Sequence, residues 1–143
     1  MNSQRMDIQQ IDPAAYQPMF AMEQYTHAGT LGENLLGLIK LCASQINGCA
    51  YCLDMHAREG REAGVPQRSI DVLAGWNEAK DLYSAREQAA LALTESVSLI
   101  SENGVAQKVW DELNAVFSKQ EIVELLMAIS VINVWNRLAI ATH

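Results

Sequence analysis

The apolar side chains of this sequence recur with the period of an α-helix. A helix predicted over about residues 31–46 carries its apolar face at Leu35, Leu38, Ile39, Cys42 and Ile46. A later helix, which begins near Ser84, carries its apolar face at Ala90, Leu93, Val97 and Ile100. No segment alternates apolar and polar residues in the manner of a strand. We therefore predict an all-α fold of six or seven helices, forming one domain over residues 1–143.

Residues that start helices give several of the predicted boundaries. Residues 1–12 form a polar lead-in, after which Asp12 caps a helix that begins at Pro13. Ser84 and Ser118 are each followed three residues later by a glutamate, which is the pattern of a capping box. Both serines are therefore predicted to begin helices.

The final predicted helix, which runs to about Ala141, is apolar on nearly all sides. Such a helix lies either at the centre of a core or between subunits. Its polar residues Asn133, Asn136 and Arg137 then require hydrogen-bond partners. We expect those partners in loops or in a neighbouring chain rather than in a substrate.

A polar break, Asn47-Gly48, precedes the most distinctive segment of the chain. Both residues tolerate the left-handed backbone that a turn requires, and strong helix formers follow them. In a helix that starts at about Gly48, a step of about 100° per residue places Cys52 near 300° and His56 near 340°, with Cys49 taken as zero. Two thiols and an imidazole are thus predicted to share one narrow stripe at the start of a helix.

This arrangement favours redox chemistry. Unpaired N–H groups at a helix N-terminus stabilise a thiolate, and His56 stands one turn after Cys52, where it can accept the thiol proton directly or through one water. Cys49 is placed to resolve a sulfenic acid or a mixed disulfide. The helix dipole acts most strongly on Cys49, whereas His56 activates Cys52. We expect Cys52 to be the reactive thiol because its base is one turn away.

Other interpretations of the cysteines remain open at this point. A structural disulfide is one, although a Cys-x-x-Cys ring removes little entropy from the unfolded chain. A zinc site is another, with Cys42 and His56 as additional ligands. His56 could also be a buried histidine with a structural hydrogen bond. Cys42 itself is interpreted first as a small buried hydrophobe and second as a redox thiol.

The segment SQINGCAYCLDMH, with LIKL before it and NVWNRLAI near the end, resembles the alkylhydroperoxidase D (AhpD)-like branch of the carboxymuconolactone decarboxylase family. The resemblance extends from about Pro13 to Ile140. It implies an all-helical fold, assembly into homotrimers or homohexamers, and reduction of hydroperoxides through the two cysteines. It also implies that Cys52 reacts with the peroxide, that Cys49 resolves the product, and that His56 belongs to the proton relay.

The sequence departs from the family pattern at two positions. Family members commonly carry a glutamate twelve residues before the first cysteine, which completes the relay to the histidine; here that residue is Gly37. Relatives often have arginine seven residues before that cysteine, where this chain has Cys42. The first departure puts efficient peroxidase turnover in doubt.

A carboxylate on the cysteine helix could replace the missing one. Glu59 is predicted near 280°, within about 20° of Cys52, and it is three residues from His56. It could hold the tautomer of the imidazole and raise its basicity. The alternative is a solvated residue paired with Arg58 or with the neighbours of Arg61. The predicted catalytic residues are therefore Cys52, Cys49, His56 and Glu59.

Composition limits the possible partners. The net charge of −7 argues against a nucleic-acid surface, and no stretch approaches the run of about 20 apolar residues that spans a bilayer. The opening residues MNSQRMDIQQ lack a hydrophobic signal core. We expect a cytoplasmic protein without a cofactor or a bound metal, whose partners are a hydroperoxide and a disulfide-reducing protein or small thiol. The alternatives are a non-enzymatic redox sensor or assembly protein and a metal-binding module.

Overall fold

The computed structural model describes residues 3–143, and this part of the chain is helical without a β-strand. Its eight α-helices are α1 (Ile8–Ile11), α2 (Gln17–Ala28), α3 (Glu33–Asn47), α4 (Ala50–Glu62), α5 (Gln67–Asp71), α6 (Ala85–Ser98), α7 (Gln107–Val116) and α8 (Lys119–Thr142). Short 3₁₀ helices span Pro13–Tyr16, Leu73–Glu78, Lys80–Leu82 and Ile100–Glu102. Six of the α-helices have ten residues or more, so the all-α prediction is confirmed.

Both predicted capping boxes are present. The Ser84 hydroxyl accepts the N–H of Glu87 at 3.1 Å, and Glu87 Oε1 accepts the N–H of Ser84 at 2.8 Å. Ser118 and Glu121 make the same pair of bonds at 3.1 and 2.9 Å. Each box satisfies two backbone donors that a helix start leaves without partners, and this fixes where α6 and α8 begin.

The start of the chain differs from the prediction. Pro13 begins a 3₁₀ turn rather than an α-helix, and within residues 3–143 the Asp12 side chain does not cap it. An α-helix from Pro13 would need an N–H at position 18, which is proline and has none, so α2 begins anew at Gln17. The lead-in over residues 1–12 also contains a helix, α1, whose first turn is capped by Asp7; Met1 and Asn2 lie outside the described residues.

The prediction for Ile100 was wrong. The first three residues of its predicted stripe are on α6, where Ala90 and Leu93 are fully buried. However, α6 ends at Ser98, so Ile100 lies in the following 3₁₀ turn, off the helical stripe, and is 55% exposed.

Helix α3 lies at the centre of the fold. It packs against α4, α6 and α8, and its residues from Leu38 to Ser44 are all buried, including Lys40. The sequence pattern predicted only one apolar face for this helix. The burial is wider because neighbouring helices cover α3 on several sides, and the polar side chains of Lys40 and Ser44 are thereby enclosed in the molecule.

Helix α8 is the other long core element, and it packs against α2, α3, α4 and α6. The helix has 24 residues, and an 18-residue window within it has a mean hydropathy of 1.5. By length and composition it could cross a membrane, which corrects the expectation that no stretch approaches that length. Yet α8 buries Glu124, Asn133 and Asn136 against the rest of the protein. The helix therefore serves as a core helix in this fold.

The buried amides of α8 have partners within the chain. Asn133 Nδ2 donates to Ser98 Oγ at 3.0 Å, and Asn136 Nδ2 donates to Ser44 Oγ at 3.0 Å. Arg137 Nη1 donates to Asn133 Oδ1 at 2.9 Å. These bonds connect α8 to α3 and α6, in agreement with a structural role for the three polar residues. The partners are side chains on helices of the same chain, however, and not the loops or the neighbouring chain that were expected, because α8 packs directly against α3 and α6.

Candidate active site

The cysteine pair lies at the first turn of α4. Gly48 adopts a left-handed backbone with φ of 70°, and Cys49 is the N-cap residue, one position later than the predicted start. Cys49 and Cys52 form a disulfide with 5.3 Å between their Cα atoms. Cys49 Sγ also accepts the N–H of Cys52 at 3.3 Å. The helix start therefore holds the Cys49 sulfur against a donor N–H group, with the Cys52 sulfur bonded to it.

Asn47 fixes the turn that precedes the cysteines. Its Nδ2 donates to Asn133 Oδ1 and to Asn136 Oδ1, both at 2.9 Å. The N–H of Cys49 in turn donates to the Ser44 carbonyl at 3.0 Å. The position of the dithiol is thus set by hydrogen bonds that connect α3 and α8.

The two cysteines face different cavities, although both are almost fully buried. Cys52 lines a cavity of about 710 Å³, which we call the large cavity, together with His56, Glu59 and Lys40. Cys49 lines a second cavity of about 540 Å³, on the side of Arg5. A small molecule in the large cavity would therefore meet Cys52 and not Cys49.

His56 is oriented by Glu59. The imidazole is 6% exposed, and its Nδ1 lies 3.0 Å from Glu59 Oε2. Because a carboxylate can only accept, Nδ1 carries the proton and Nε2 is the basic nitrogen. Burial lowers the pKa of His56, whereas its hydrogen bond to the Glu59 carboxylate raises that pKa, and the nearby Lys40 ammonium lowers it further. Their net effect favours a neutral imidazole, the form that can accept a proton.

The arrangement predicted for Glu59 is present, with the side chain 56% exposed at the edge of the site. The alternative pairing with Arg58 is not seen, since Arg58 bonds Asp54 at 3.5 Å. The contribution of Glu59 to catalysis stays a prediction.

Gly37 stands beside this pair. A small cavity of about 30 Å³ is bounded by Gly37 of α3, by His56 and Glu59 of α4, and by Lys40. A Cβ atom at position 37 would lie 3.6 Å from the Cα of Gly60, which is ordinary van der Waals contact. A side chain at position 37 would therefore begin without a clash, at the border of the small cavity that His56 also lines.

Cys42 lies in the core, away from this chemistry. It is 3% exposed and packs in an apolar cluster with Leu38, Leu73 and Trp76. Burial, and to a smaller extent the charge of Glu95, raises the pKa of its thiol to about 12. Residues 3–143 contain no group of three His, Cys, Asp or Glu side chains that could hold a metal, so the zinc set considered from the sequence is not assembled there.

The sequence did not identify a charged cluster at the side of the large cavity. Lys40 Nζ lies 3.2 Å from Glu23 Oε2 and 3.0 Å from His27 Nε2, and the Lys40 side chain is 6% exposed. His27 Nδ1 lies 2.8 and 3.0 Å from the two carboxylate oxygens of Glu33. His27 lies near the end of α2, with its side chain 38% exposed. The available signal was a lysine inside the apolar segment LIKL.

Aromatic side chains form another wall of the large cavity. The ring centroids of Tyr16 and Trp135 are 5.1 Å apart, and those of Phe20 and Trp135 are 6.0 Å apart. Trp135 Nε1 donates to Glu23 Oε1 at 3.1 Å, which joins the aromatic wall to the charged cluster. Tyr16 and Phe20 therefore line the large cavity in this chain.

Comparisons with known proteins agree with this description. The chain matches the carboxymuconolactone decarboxylase family over residues 13–96. It is 37% identical to the uncharacterized protein YdfG of Bacillus subtilis, over 97% of this chain and 94% of YdfG. A solved protein of unknown function from Agrobacterium tumefaciens, suggested to be the antioxidant defence protein AhpD, superposes with a TM-score of 0.94 at 36% identity, covering 98% of this chain and 95% of that one.

A more distant structure shares the fold alone. The debrominase Bmp8 has a TM-score of 0.80 at 20% identity, over 94% of this chain and 73% of its own. One assignment follows from the family match, the two similar proteins and the Cys-x-x-Cys pair at the start of α4. The chain belongs to the carboxymuconolactone decarboxylase family and, within it, to the AhpD-like branch.

Proposed function

We propose that this protein is a thiol-dependent peroxidase that reduces hydroperoxides through Cys49 and Cys52 and serves in antioxidant defence. The observation that carries the proposal is the position of Cys52, which lines the large cavity with His56 while it is within disulfide distance of Cys49. The likeness to the Agrobacterium protein that has been suggested to be AhpD supports it.

In the proposed cycle the Cys52 thiol loses its proton to Nε2 of His56. The thiolate attacks the distal peroxide oxygen, the O–O bond breaks, and Cys52 becomes a sulfenic acid while an alkoxide leaves and is protonated. Cys49 then attacks the Cys52 sulfur, which releases water and forms the disulfide. A dithiol supplies two electrons and two protons to restore the cysteines.

The reductant is proposed to be a disulfide-reducing protein or a small thiol. It would attack Cys49, because Cys49 lines the second cavity and the large cavity remains for the peroxide.

We also propose a cytoplasmic location, where the disulfide can be reduced repeatedly. Assembly into a homotrimer or homohexamer is proposed from the family resemblance, and the exposed Val123 and Val134 of α8 offer apolar surface for it.

The test is peroxide consumption in the steady state with a supplied dithiol reductant. We expect turnover by the wild type, loss of sulfenic acid formation in Cys52→Ser, and a trapped sulfenic acid in Cys49→Ser. Sulfenic acid at Cys49 in the Cys52→Ser protein would reverse the two roles.

A second candidate function is a redox sensor that oxidises without efficient turnover. The observation in its favour is Gly37, which leaves the space beside His56 without the carboxylate of relatives. A sensor would form the disulfide stoichiometrically with peroxide and consume little more when reductant is added. A metal-binding module would instead be purified with stoichiometric zinc.

A further inference from the structure

The large cavity brings the sulfur of Cys52 and a wall of aromatic rings together around one space of about 710 Å³. That volume lies within the range of sites for small organic molecules, about 300–1,000 Å³, whereas a water molecule takes up about 30 Å³ in the liquid. Hydrogen peroxide has only two heavy atoms, so it would leave most of the cavity to solvent. The size of the cavity therefore favours an organic hydroperoxide.

The three rings of the aromatic wall are in mutual contact. The ring of Tyr16 meets that of Trp135 edge to face, with an interplanar angle of 75°, and it meets that of Phe20 in the same way at 76°. The rings of Phe20 and Trp135 are tilted by 38°. The separations of the centroids, from 5.1 to 6.0 Å, are those of favourable aromatic pairs. The wall is therefore a cluster of rings rather than a set of isolated apolar side chains.

The aromatic wall is accessible to a ligand. Phe20 is 46% exposed, and Tyr16 and Trp135 are half-buried. The indole of Trp135 is held in place, because its Nε1 donates to Glu23 Oε1 at 3.1 Å. A ligand with an apolar group would remove part of this ring surface from water and would meet rings that are already positioned.

The charged side chains of the large cavity disfavour an anionic ligand. Histidines apart, those within residues 3–143 are three glutamates and one lysine, namely Glu23, Glu33, Glu59 and Lys40. The lysine is already paired, since its Nζ lies 3.2 Å from Glu23 Oε2. A ligand with a carboxylate would therefore meet an excess of like charge. An uncharged ligand does not meet this cost.

We propose that the aromatic wall selects uncharged hydroperoxides that carry a phenyl group, by contact of that group with the rings of Tyr16 and Phe20 while the O–O bond reaches Cys52. This inference rests on the proposed peroxidase function and names its substrate class. The bond changes are those of the proposed cycle, and the alcohol that leaves carries the phenyl group. Aromatic pairs gain more than their buried area provides, because the edge of one ring is positive and the face of the other is negative. The wall should therefore distinguish a phenyl group from a saturated ring.

The test compares cumene hydroperoxide with its cyclohexyl analogue, which is uncharged and has the same carbon skeleton. Each kcat/KM, measured with a supplied dithiol, is divided by the rate of the same hydroperoxide with a free thiol, so that intrinsic reactivity cancels. The normalised kcat/KM should be about three- to ten-fold higher for cumene hydroperoxide, the range that an aromatic pair contributes beyond buried area. A carboxylated cumene hydroperoxide should be slower than cumene hydroperoxide. Hydrogen peroxide, which has no ring, reports the chemistry alone.

Variants of Tyr16 separate the ring from the rest of the site. Tyr16→Leu should lower the preference for the phenyl group at least about two-fold, whereas Tyr16→Phe retains the ring and should keep the preference. The hydrogen bonds of Glu23 are made with Trp135, His27 and Lys40, so neither change removes one of them. Turnover of hydrogen peroxide should accordingly change less than about two-fold in both variants.

Phe20→Leu should also lower the preference for the phenyl group. Its matched control is Tyr25→Leu, which removes an aromatic residue of similar exposure from α2, outside the lining of the large cavity. The control should keep the preference of the wild type.

Binding of the product alcohols tests the wall without turnover. In the oxidised protein, cumyl alcohol should shift the NMR signal of the Trp135 indole N–H, and it should bind more tightly than its cyclohexyl analogue. Equal normalised kcat/KM for the two hydroperoxides, equal binding of the two alcohols, or a preference that survives in both Tyr16→Leu and Phe20→Leu would overturn aromatic selection. A carboxylated substrate that is faster would overturn the preference for an uncharged one.

Failure of the proposed peroxidase function would look different. No hydroperoxide, including hydrogen peroxide, would then be turned over, and the binding of the two alcohols would still decide whether the wall selects a phenyl group.

Discussion

Nδ1 of His56 lies 3.0 Å from Oε2 of Glu59, one turn further along α4. The bond leaves Nε2 as the nitrogen that can accept the Cys52 proton. It also opposes the lowering of the His56 pKa by burial. Two residues of a single helix therefore determine the orientation of the His56 imidazole and affect its pKa.

Glu59→Gln should weaken this base. Without the carboxylate the His56 pKa falls further, so the pH dependence of Cys52 oxidation shifts to lower pH while the rate near neutrality decreases. Exposed pairs contribute about 0.2–1 kcal/mol, which corresponds to a decrease of up to about five-fold. Stopped-flow oxidation of Cys52 measures both effects.

The matched control is Asp54→Asn, which removes the exposed partner of Arg58 on the same helix. Identical rates between about pH 6 and pH 9 would remove Glu59 from the mechanism.

Gly37→Glu should accelerate Cys52 oxidation. The new carboxylate would enter the small cavity beside His56, raise the imidazole pKa and strengthen the base. Gly37→Gln is the matched control, because it has the same size without the charge. Both variants also exchange a helical glycine for a better helix former, worth about 0.5–1 kcal/mol of stability. Equal rates in the two variants would show that side-chain volume rather than charge acts at this position.

Cys42→Ala should leave peroxide turnover intact and cost about 1 kcal/mol of stability through a small cavity. Thermal or urea denaturation, together with steady-state turnover, measures the two quantities. A ten-fold loss of turnover in a folded variant would contradict the assignment of Cys42 as a core residue.

The same thiol predicts a dependence of stability on alkaline pH. The Cys42 pKa is raised from 9.0 to about 12 in the folded protein, so the unfolded chain loses this proton first. The thiol's contribution to stability is complete below about pH 9 and is lost as the pH rises toward 12. Urea denaturation across this range should show a smaller loss of stability in Cys42→Ala than in wild type. Parallel curves for the two proteins would contradict the shifted pKa.

Gly29→Ala should destabilise the fold by about 1–3 kcal/mol, since a Cβ at this position would overlap Oε1 of the buried Glu124. That carboxylate accepts the N–H of Thr30 at 2.8 Å and its hydroxyl at 3.0 Å, and the methyl group would displace it. Gly75→Ala is the matched control, because nothing lies within 4 Å of its Cβ position. A melting temperature that falls equally in both variants would contradict this account.

The sequence predicted what depends on local spacing. A step of 100° per residue was enough to group Cys49, Cys52 and His56, and to bring Glu59 within reach of His56, because all four are near one another on one helix. The capping boxes at Ser84 and Ser118 were predicted for the same reason, since each involves groups only three residues apart.

Contacts between distant segments were not predicted. Lys40 meets Glu23 and His27 through side chains that lie 17 and 13 positions apart in the sequence, and Trp135 reaches Glu23 across 112 positions. The hydrophobic pattern did indicate that LIKL is in a helix. It could not indicate that neighbouring helices would also bury Lys40 of that segment, or that Lys40 would line a cavity.

The contacts of α8 also have a consequence for synthesis on the ribosome. Thr30 is 94 positions from its partner Glu124, and Asn47 is 89 positions from Asn136, so α2, α3 and the cysteine turn are made well before the helix that completes them. At roughly 5–20 residues per second, the interval is on the order of 5–20 s. During that interval the nascent chain already holds Cys49 and Cys52 but lacks the α8 side chains of the large cavity. The thiols can then meet oxidants before the α8 side chains of the cavity, Trp135 among them, are in place.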